Sequence, residues 1–288
     1  MKRTLTEVLK ENLYIAVTLF LLSFVLPGYA QNNEKNRKHH NVTFGVEFGS
    51  DLLFGETIKP DKVRESKSSY YLFDDYDFYC GLLWDYQTIN ITYLGIKSEM
   101  FFAKNRLGLA SGIRLSRYST SLDSDRDYFL WNLQQDETNT EYVRIRKITQ
   151  NSFYVGIPFE VKFFPNKREM PAQFYVKTGA AFNYRINTIN KIIFHNPSMN
   201  FYDETISNYT NRNLTDFNAY LFLGCGLKIG RFSADKKRYA PIMNIEIHAV
   251  NVMFTEAASS FINTTSGFGL QLSVQIPLGK TVAIGARN

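Results

Sequence analysis

Between Val42 and Pro277 the chain contains eight stretches in which apolar and polar side chains alternate one by one. The gaps between them run long, short, long, short, long, intermediate, long. Alternation with a period of two places one set of side chains on each face of a strand. In the fourth stretch Phe153, Val155, Ile157, Phe159, Val161 and Phe163 alternate with Tyr154, Gly156, Pro158, Glu160, Lys162 and Phe164. The third sets Leu107, Leu109, Ile113 and Leu115 against Gly108, Ala110, Gly112 and Arg114. The sixth sets Leu221, Leu223, Cys225 and Leu227 against Phe222, Gly224, Gly226 and Lys228.

The two faces then decide the solvent. Across these runs the apolar face carries no charge, whereas the other carries Glu47, Arg114, Glu160, Lys162, Lys177, Arg185, Lys228 and Glu246, with Lys97 and Glu99 added by the second stretch. A soluble barrel or sandwich needs apolar residues inside and charges outside. Small residues crowd the charged face (Gly108, Gly112, Gly156, Gly179, Gly224, Gly226), as a narrow interior filled by long polar side chains demands. In hydrocarbon every backbone amide must be paired, so a sheet that crosses a membrane closes on itself. Runs of about 9 to 13 residues suit tilted crossing strands, and an even number with alternating loop lengths puts both termini on one side. The expectation is an all-β fold: a closed, eight-stranded, antiparallel, up-and-down transmembrane β-barrel over residues 42–279, with long extracellular loops and short periplasmic turns. Pro158 lacks the N–H that a fully paired strand uses, which predicts a bulge or a missing rung there.

Residues 1–30 have the layout of an export signal: Lys2 and Arg3, an apolar run from Leu13 to Leu26, and the small-residue site Gly28-Tyr29-Ala30. The alternative, a membrane anchor, is disfavoured by the shortness of the run and by Pro27-Gly28 at its end. Cleavage after Ala30 leaves 258 of 288 residues, and loss of Lys2, Arg3, Lys10, Glu7 and Glu11 lowers the net charge from +6 to +5. Residues 31–41 read as a polar periplasmic lead-in and 280–288 as a periplasmic tail. The basic excess is spread along the chain without the clustered patch of a nucleic-acid binder. Cys80 and Cys225 are too few to staple a domain of this size.

The segment Tyr154-Val155-Gly156-Ile157-Pro158-Phe159-Glu160-Val161-Lys162-Phe163-Phe164 resembles a recurring strand of the PorT-like outer-membrane β-barrel family of Bacteroidota. The shared features are an Ile-Pro step (Ile157-Pro158), a lysine four residues beyond the proline (Lys162), a short turn, and a following strand with a central glycine (Gly179). The resemblance is specific over about 35 residues. It implies a small eight-stranded barrel in the bacterial outer membrane, and one class within the family assists protein secretion across that membrane. The chain departs from many outer-membrane barrels in ending on Arg287-Asn288 rather than an aromatic residue.

Three functional classes follow. Glu47, Arg114, Glu160, Lys162, Lys177, Arg185, Glu246 and His248 form a candidate lumen charge network, because unpaired charge in a narrow barrel is costly. Such a network makes the barrel a plugged structural or binding protein; the alternative is a small pore for ions or solutes. The loops at 55–88, 118–152 and 187–217 hold Tyr70, Tyr71, Tyr76, Tyr79, Trp84, Trp131, Tyr202 and Tyr209 among mixed charges, which suits recognition of extracellular ligands, adhesion, or contact with envelope or secretion proteins. The membrane lipid is the remaining expected partner, and nucleic acid is not one. An outer-membrane hydrolase would have to use His248 with Glu246 and either Gln271 or Ser273, but a triad needs mutual contact. No catalytic residue, metal site or cofactor is assigned: tandem His39-His40 reads as a solvated tail, and Asp74, Asp75 and Asp77 lack the full ligand run of a calcium loop.

Overall fold

The computed structural model describes residues 41–58, 60–64, 86–103, 106–124, 128–133, 141–165, 172–212, 214–230, 241–255 and 258–278. The expected signal peptide, the lead-in to residue 40, the tail from residue 279, Cys80 and residues 65–85 of the first loop lie outside them.

Eight long strands form the wall: β1 (Asn41–Thr57), β3 (Tyr86–Phe102), β4 (Leu107–Asp123), β6 (Tyr142–Phe163), β7 (Ala172–Phe194), β8 (Phe217–Ile229), β9 (Ile242–Met253) and β10 (Ile262–Leu278). Each pairs antiparallel with its neighbours in the order β6-β4-β3-β1-β10-β9-β8-β7, and β7 pairs back onto β6, so the sheet is a closed ring. The paired register runs from Thr43 through Glu99, Ala110, Glu160, Gly179, Phe222, Asn251 and Gly267 and returns to β1 at Leu53. That is ten residues (53 − 43) beyond its start. A stagger of ten over eight strands requires a tilt of roughly 40° and leaves a wall radius of about 8 Å. Side chains alone fill such an interior.

Pro158 leaves its mark as expected. The β4–β6 ladder passes from Ser111–Phe159 directly to Arg114–Gly156 with no change of register, so a rung is missing and there is no bulge. At the short-turn end Gly230 adopts φ +123°, a backbone shape that side chains resist, and Ala103 takes φ 48° in the β3–β4 turn.

The outward face is apolar over a definite height. On β10, Phe268, Leu270, Leu272, Val274, Ile276 and Leu278 are all between 46% and 60% exposed. These ten residue steps span ~34 Å along the strand at ~3.4 Å each. Tilted by about 40°, that becomes ~25 Å of height, the thickness of the apolar band on a membrane barrel. Among the described residues no helix is long and apolar enough to cross a membrane.

The other end of the wall departs from expectation. Most strands exceed the expected length, reaching 22 residues in β6 and 23 in β7. Residues 118–152, read as a loop, are largely strand: β4 continues to Asp123, β5 (Phe129–Asn132) resumes the same pairing on β6, and β6 begins at Tyr142. β2 (Val63–Arg64) adds to the free edge of β5. Within 187–217, β7 runs on to Phe194, a 3-10 turn follows at Pro197–Tyr202, and helix α1 (Asp203–Asn211) leads towards β8. The reason is a second hydrophobic core at this end. Leu53, Ile91, Leu122, Trp131, Ile145 and Ile206 are among its members, each at most 5% exposed. Strands that bury such residues remain paired above the membrane band.

Candidate functional site

The lumen is where the inward rows of all eight strands converge. Five carboxylates (Glu47, Asp51, Glu99, Glu160, Glu246), five basic groups (Lys97, Arg114, Lys162, Lys177, Lys228) and His248 are each at most 2% exposed. The acidic groups and the lysine and arginine groups match in number.

Local sequence makes the space. Long charged side chains face glycine in register: Lys97 sits beside Gly45 and Gly112, Glu47 and Arg114 beside Gly95, Glu160 beside Gly179, and Glu246 beside Gly226. A Cβ on Gly95 would stand 2.7 Å from the Ile113 carbonyl oxygen and 3.0 Å from Glu47 Oε1.

The pairing is a mesh rather than a set of isolated bridges. Arg114 Nε donates to Glu47 Oε1 at 2.8 Å, its Nη1 donates to the Tyr220 hydroxyl at 3.1 Å, and its guanidinium lies 4.0 Å from the centre of the Tyr93 ring. Lys97 is hydrogen-bonded to Glu160 and lies 3.5 Å from Glu47. Lys162 reaches Glu99 and Glu246, both at 2.9 Å. Lys177 is hydrogen-bonded to Glu246 and lies 3.5 Å from Glu160. Tyr175 donates to Glu246 Oε1 at 2.5 Å. Gln271 joins two parts of the mesh: its amide nitrogen donates to Glu47 at 2.8 Å, and its oxygen accepts from Lys177 at 3.1 Å and from Tyr93 at 3.2 Å. Towards the short turns Lys228 rests over the rings of Phe101 and Phe164, and these two pack with Tyr175 and Ile242 into a small apolar floor.

Of the residues expected in this network, the structure brings together Glu47, Arg114, Glu160, Lys162, Lys177 and Glu246, with His248 joined through Gln271. Arg185 is a correction. It keeps inward parity opposite Tyr154, but it lies just past Tyr184, the last β7 residue paired with β8, and its side chain is held by Asp216 (2.6 Å) and the Leu214 carbonyl (3.3 Å) at the long-loop end, away from the lumen carboxylates. Asp51 is the member that sequence reading missed. The outward parity of Leu52 and Phe54 extends the first strand far enough to place it inward, but apolar Leu53, also inward, hides that signal. Gln271 and the phenols of Tyr93, Tyr175 and Tyr220 carry no charge and so gave no signal of a network role.

His248 does not form a triad. Its Nδ1 meets Asp51 Oδ1 at 2.7 Å, its Nε2 meets the Gln271 carbonyl oxygen at 3.1 Å, and its ring stacks on Phe222 with centroids 4.9 Å apart. The second nitrogen therefore faces an amide oxygen and no nucleophile. Glu246 is engaged with lysines, and the Ser273 hydroxyl accepts from Asn244 at 3.0 Å.

The long-loop end closes the barrel. The loop aromatics Trp131, Tyr202 and Tyr209 belong to the hydrophobic core of this end or pack against it: Trp131 is 2% exposed and its ring meets Tyr209 edge-on at 5.6 Å. The Tyr209 hydroxyl is hydrogen-bonded to Asp61, and Tyr202 donates to Glu141 at 2.5 Å. Partial burial, and then the Asp61 carboxylate, push the Tyr209 phenol up to about 12. Tyr70, Tyr71, Tyr76, Tyr79 and Trp84 lie outside the described residues.

No family model and no curated protein sequence matches the chain. Among solved structures it is similar to the outer membrane protein OprG from Pseudomonas aeruginosa. That match has 8% identity and a TM-score of 0.38, covering 85% of this chain and 97% of the other. The barrel assignment stands on the closed ring and the polarity of its two faces.

Proposed function

We propose that this chain is a non-enzymatic protein of the bacterial outer membrane: a barrel sealed by its own ion-pair mesh, holding a folded cap at the outer surface where binding takes place. One observation carries this reading. Eleven ionisable side chains fill the interior of a wall about 8 Å in radius with none more than 2% exposed, between an apolar floor and the apolar cap. A water-filled path would leave such groups hydrated, so a plug is favoured over a pore. His248, buried beneath the cap with no nucleophile in reach, argues against hydrolysis. The short turns, with the start of β1 and the end of β10, face the periplasm, and the cap formed by β2, β5 and α1 faces outward. Within this reading the ordered cap favours adhesion or ligand capture, and assistance to secretion is the alternative that the resemblance to PorT-like barrels leaves open.

The test pairs two measurements on the full chain. Fractionation with heat-modifiable gel migration should place the protein in the outer membrane as a compact barrel. Recordings in a planar bilayer should show no steady conductance. A soluble fraction would overturn the location, and stable unitary currents would overturn the plug.

A further inference from the structure

Above the apolar band the outer wall is asymmetric. On β1, β3, β8, β9 and β10 the described outward side chains include no lysine or arginine. On β4, β6 and β7 they include Arg117, Arg144, Lys147 and Lys191, with Arg146 exposed at the bulge between Ile145 and Lys147. Among the described outward side chains of these three strands the one carboxylate is Asp123, paired with Lys147 at 2.9 Å.

The register fixes the heights. Leu115 and Val155 form the last apolar row, and the next row is Arg117, Phe153 and Asn187. Asn151 and Ile189 come one row higher, then Thr149 and Lys191, then Lys147 and Ile193. Each row adds ~6.7 Å along the strand, or ~5 Å of height at this tilt, so Arg117 stands ~5 Å, Lys191 ~15 Å and Lys147 ~20 Å above the last apolar row, with Arg144 above them. Arg117 therefore lies at the level of the headgroups, and the other cations continue the basic face outward from it. Isoleucines are interleaved with them, Ile189 at 53% and Ile193 at 40% exposure, on the part of β7 that extends beyond its last β8 partner, Tyr184. Two of the cations are held in place. Arg117 donates through Nε and Nη2 to Asn151 Oδ1 at 3.1 and 2.8 Å, and Arg144 stacks 4.9 Å above the ring of Tyr128. Preset guanidinium groups beside exposed aliphatic side chains match a phosphorylated headgroup attached to acyl chains.

We infer that the β4–β6–β7 wall is a lipid-binding surface that recognises the phosphate groups of a phosphorylated glycolipid in the outer leaflet. The inference rests on the membrane reading above and names the partner of one side of the barrel. Each basic side chain near an anionic surface contributes roughly fivefold in affinity, so loss of three should weaken binding by at least about tenfold.

The full chain is reconstituted into phosphatidylcholine vesicles doped with lipid A, or with the same lipid A stripped of its phosphates, and retained lipid is measured by native mass spectrometry. Wild type should retain the phosphorylated form about tenfold more, and inorganic phosphate should not displace it. Arg117→Gln/Arg144→Gln/Lys191→Gln should lose this preference. Lys236→Gln/Lys237→Gln/Arg238→Gln, which removes equal charge from the β8–β9 connection, should keep it. Heat-modifiable migration verifies that both variants fold. Equal retention by the first variant and wild type overturns the inference, as does displacement by inorganic phosphate. Insertion without phosphate preference sinks this inference alone, whereas failure of wild type to insert at all sinks the membrane reading with it.

Discussion

Replacing Glu246 with glutamine removes one charge from the middle of the mesh while keeping its shape. The carboxylate has Lys162 at 2.9 Å, Lys177 in hydrogen-bond contact and Lys97 at 4.0 Å, all fully buried. At an effective dielectric of about 20, one such pair at 3 Å is worth ~5 kcal/mol of attraction, offset by desolvation of both partners. Glu246→Gln leaves five buried basic groups facing four carboxylates. Lys162 keeps Glu99 at 2.9 Å and Lys177 keeps Glu160 at 3.5 Å, so the lower part of the range for a broken buried pair applies, about 3 kcal/mol. That shifts the unfolding equilibrium by roughly 150-fold. Urea titration of the barrel in vesicles, read by gel mobility, measures it. Glu246→Gln/Lys177→Met restores balance and should cost at least ~1.5 kcal/mol less than the two single changes added together. A single-variant cost below ~1 kcal/mol, typical of hydrated ion pairs, or strict additivity of the pair, would refute the sealed lumen.

Trp131→Ala should cost about 3–5 kcal/mol within the cap, seen as faster proteolysis at the long-loop end while heat-modifiable migration persists. Gly49→Ala places a Cβ 2.2 Å from the Tyr93 ring, which is pinned beneath Arg114, so a loss of about 1–3 kcal/mol is expected in the same urea assay. Because the Tyr209 phenol is raised to about 12 from the ordinary 10.0, its contribution to α1 docking is fully present below pH 10.0 and is lost as pH rises through 12. Asp61→Asn should move the phenolate absorbance step of Tyr209, identified by its absence in Tyr209→Phe, back towards 10.0; an unmoved step would show that Asp61 does not set it.

The ring was legible because the alternation is strict where the wall meets lipid. Val155, Ile157, Phe159 and Val161 of β6 and Leu270 to Leu278 of β10 leave no second choice of face. Inward charges were legible for the same reason, since no charge sits on the opposite face. Register was less so. Arg185 has the inward parity of Lys177 and Asn183, but it stands at the end of the β7–β8 pairing, where Asp216 holds it above the lumen, and that height depends on the pairing of two strands rather than on either alone. The mesh is also richer than its charged members suggest, because an amide and three phenols complete its hydrogen bonds.

The long-loop end was misread for a reason that itself locates the membrane surface. Below Phe153 the β6 side chains facing out are apolar and those facing in include Glu160 and Lys162. Above it Asn151, Thr149, Lys147 and Arg144 face out, while Ile148, Ile145 and Val143 are buried. The same strand thus changes from the polarity of a membrane barrel to that of a soluble sheet. Reading every apolar position as outward makes residues 118–152 look patternless, although each half alternates faithfully. β4 inverts at the matching height, with Leu115 outward below and Tyr118 and Leu122 buried above. The lipid boundary therefore lies between the Leu115–Val155 row and the Ser119–Asn151 row, with Arg117 and Phe153 at the crossing. A spin label at Leu115 or Val155 should relax with lipid-soluble oxygen, and one at Ser119 or Asn151 with a water-soluble nickel complex. Labels at all four sites that respond alike would remove the boundary, and with it the height argument for the cationic wall.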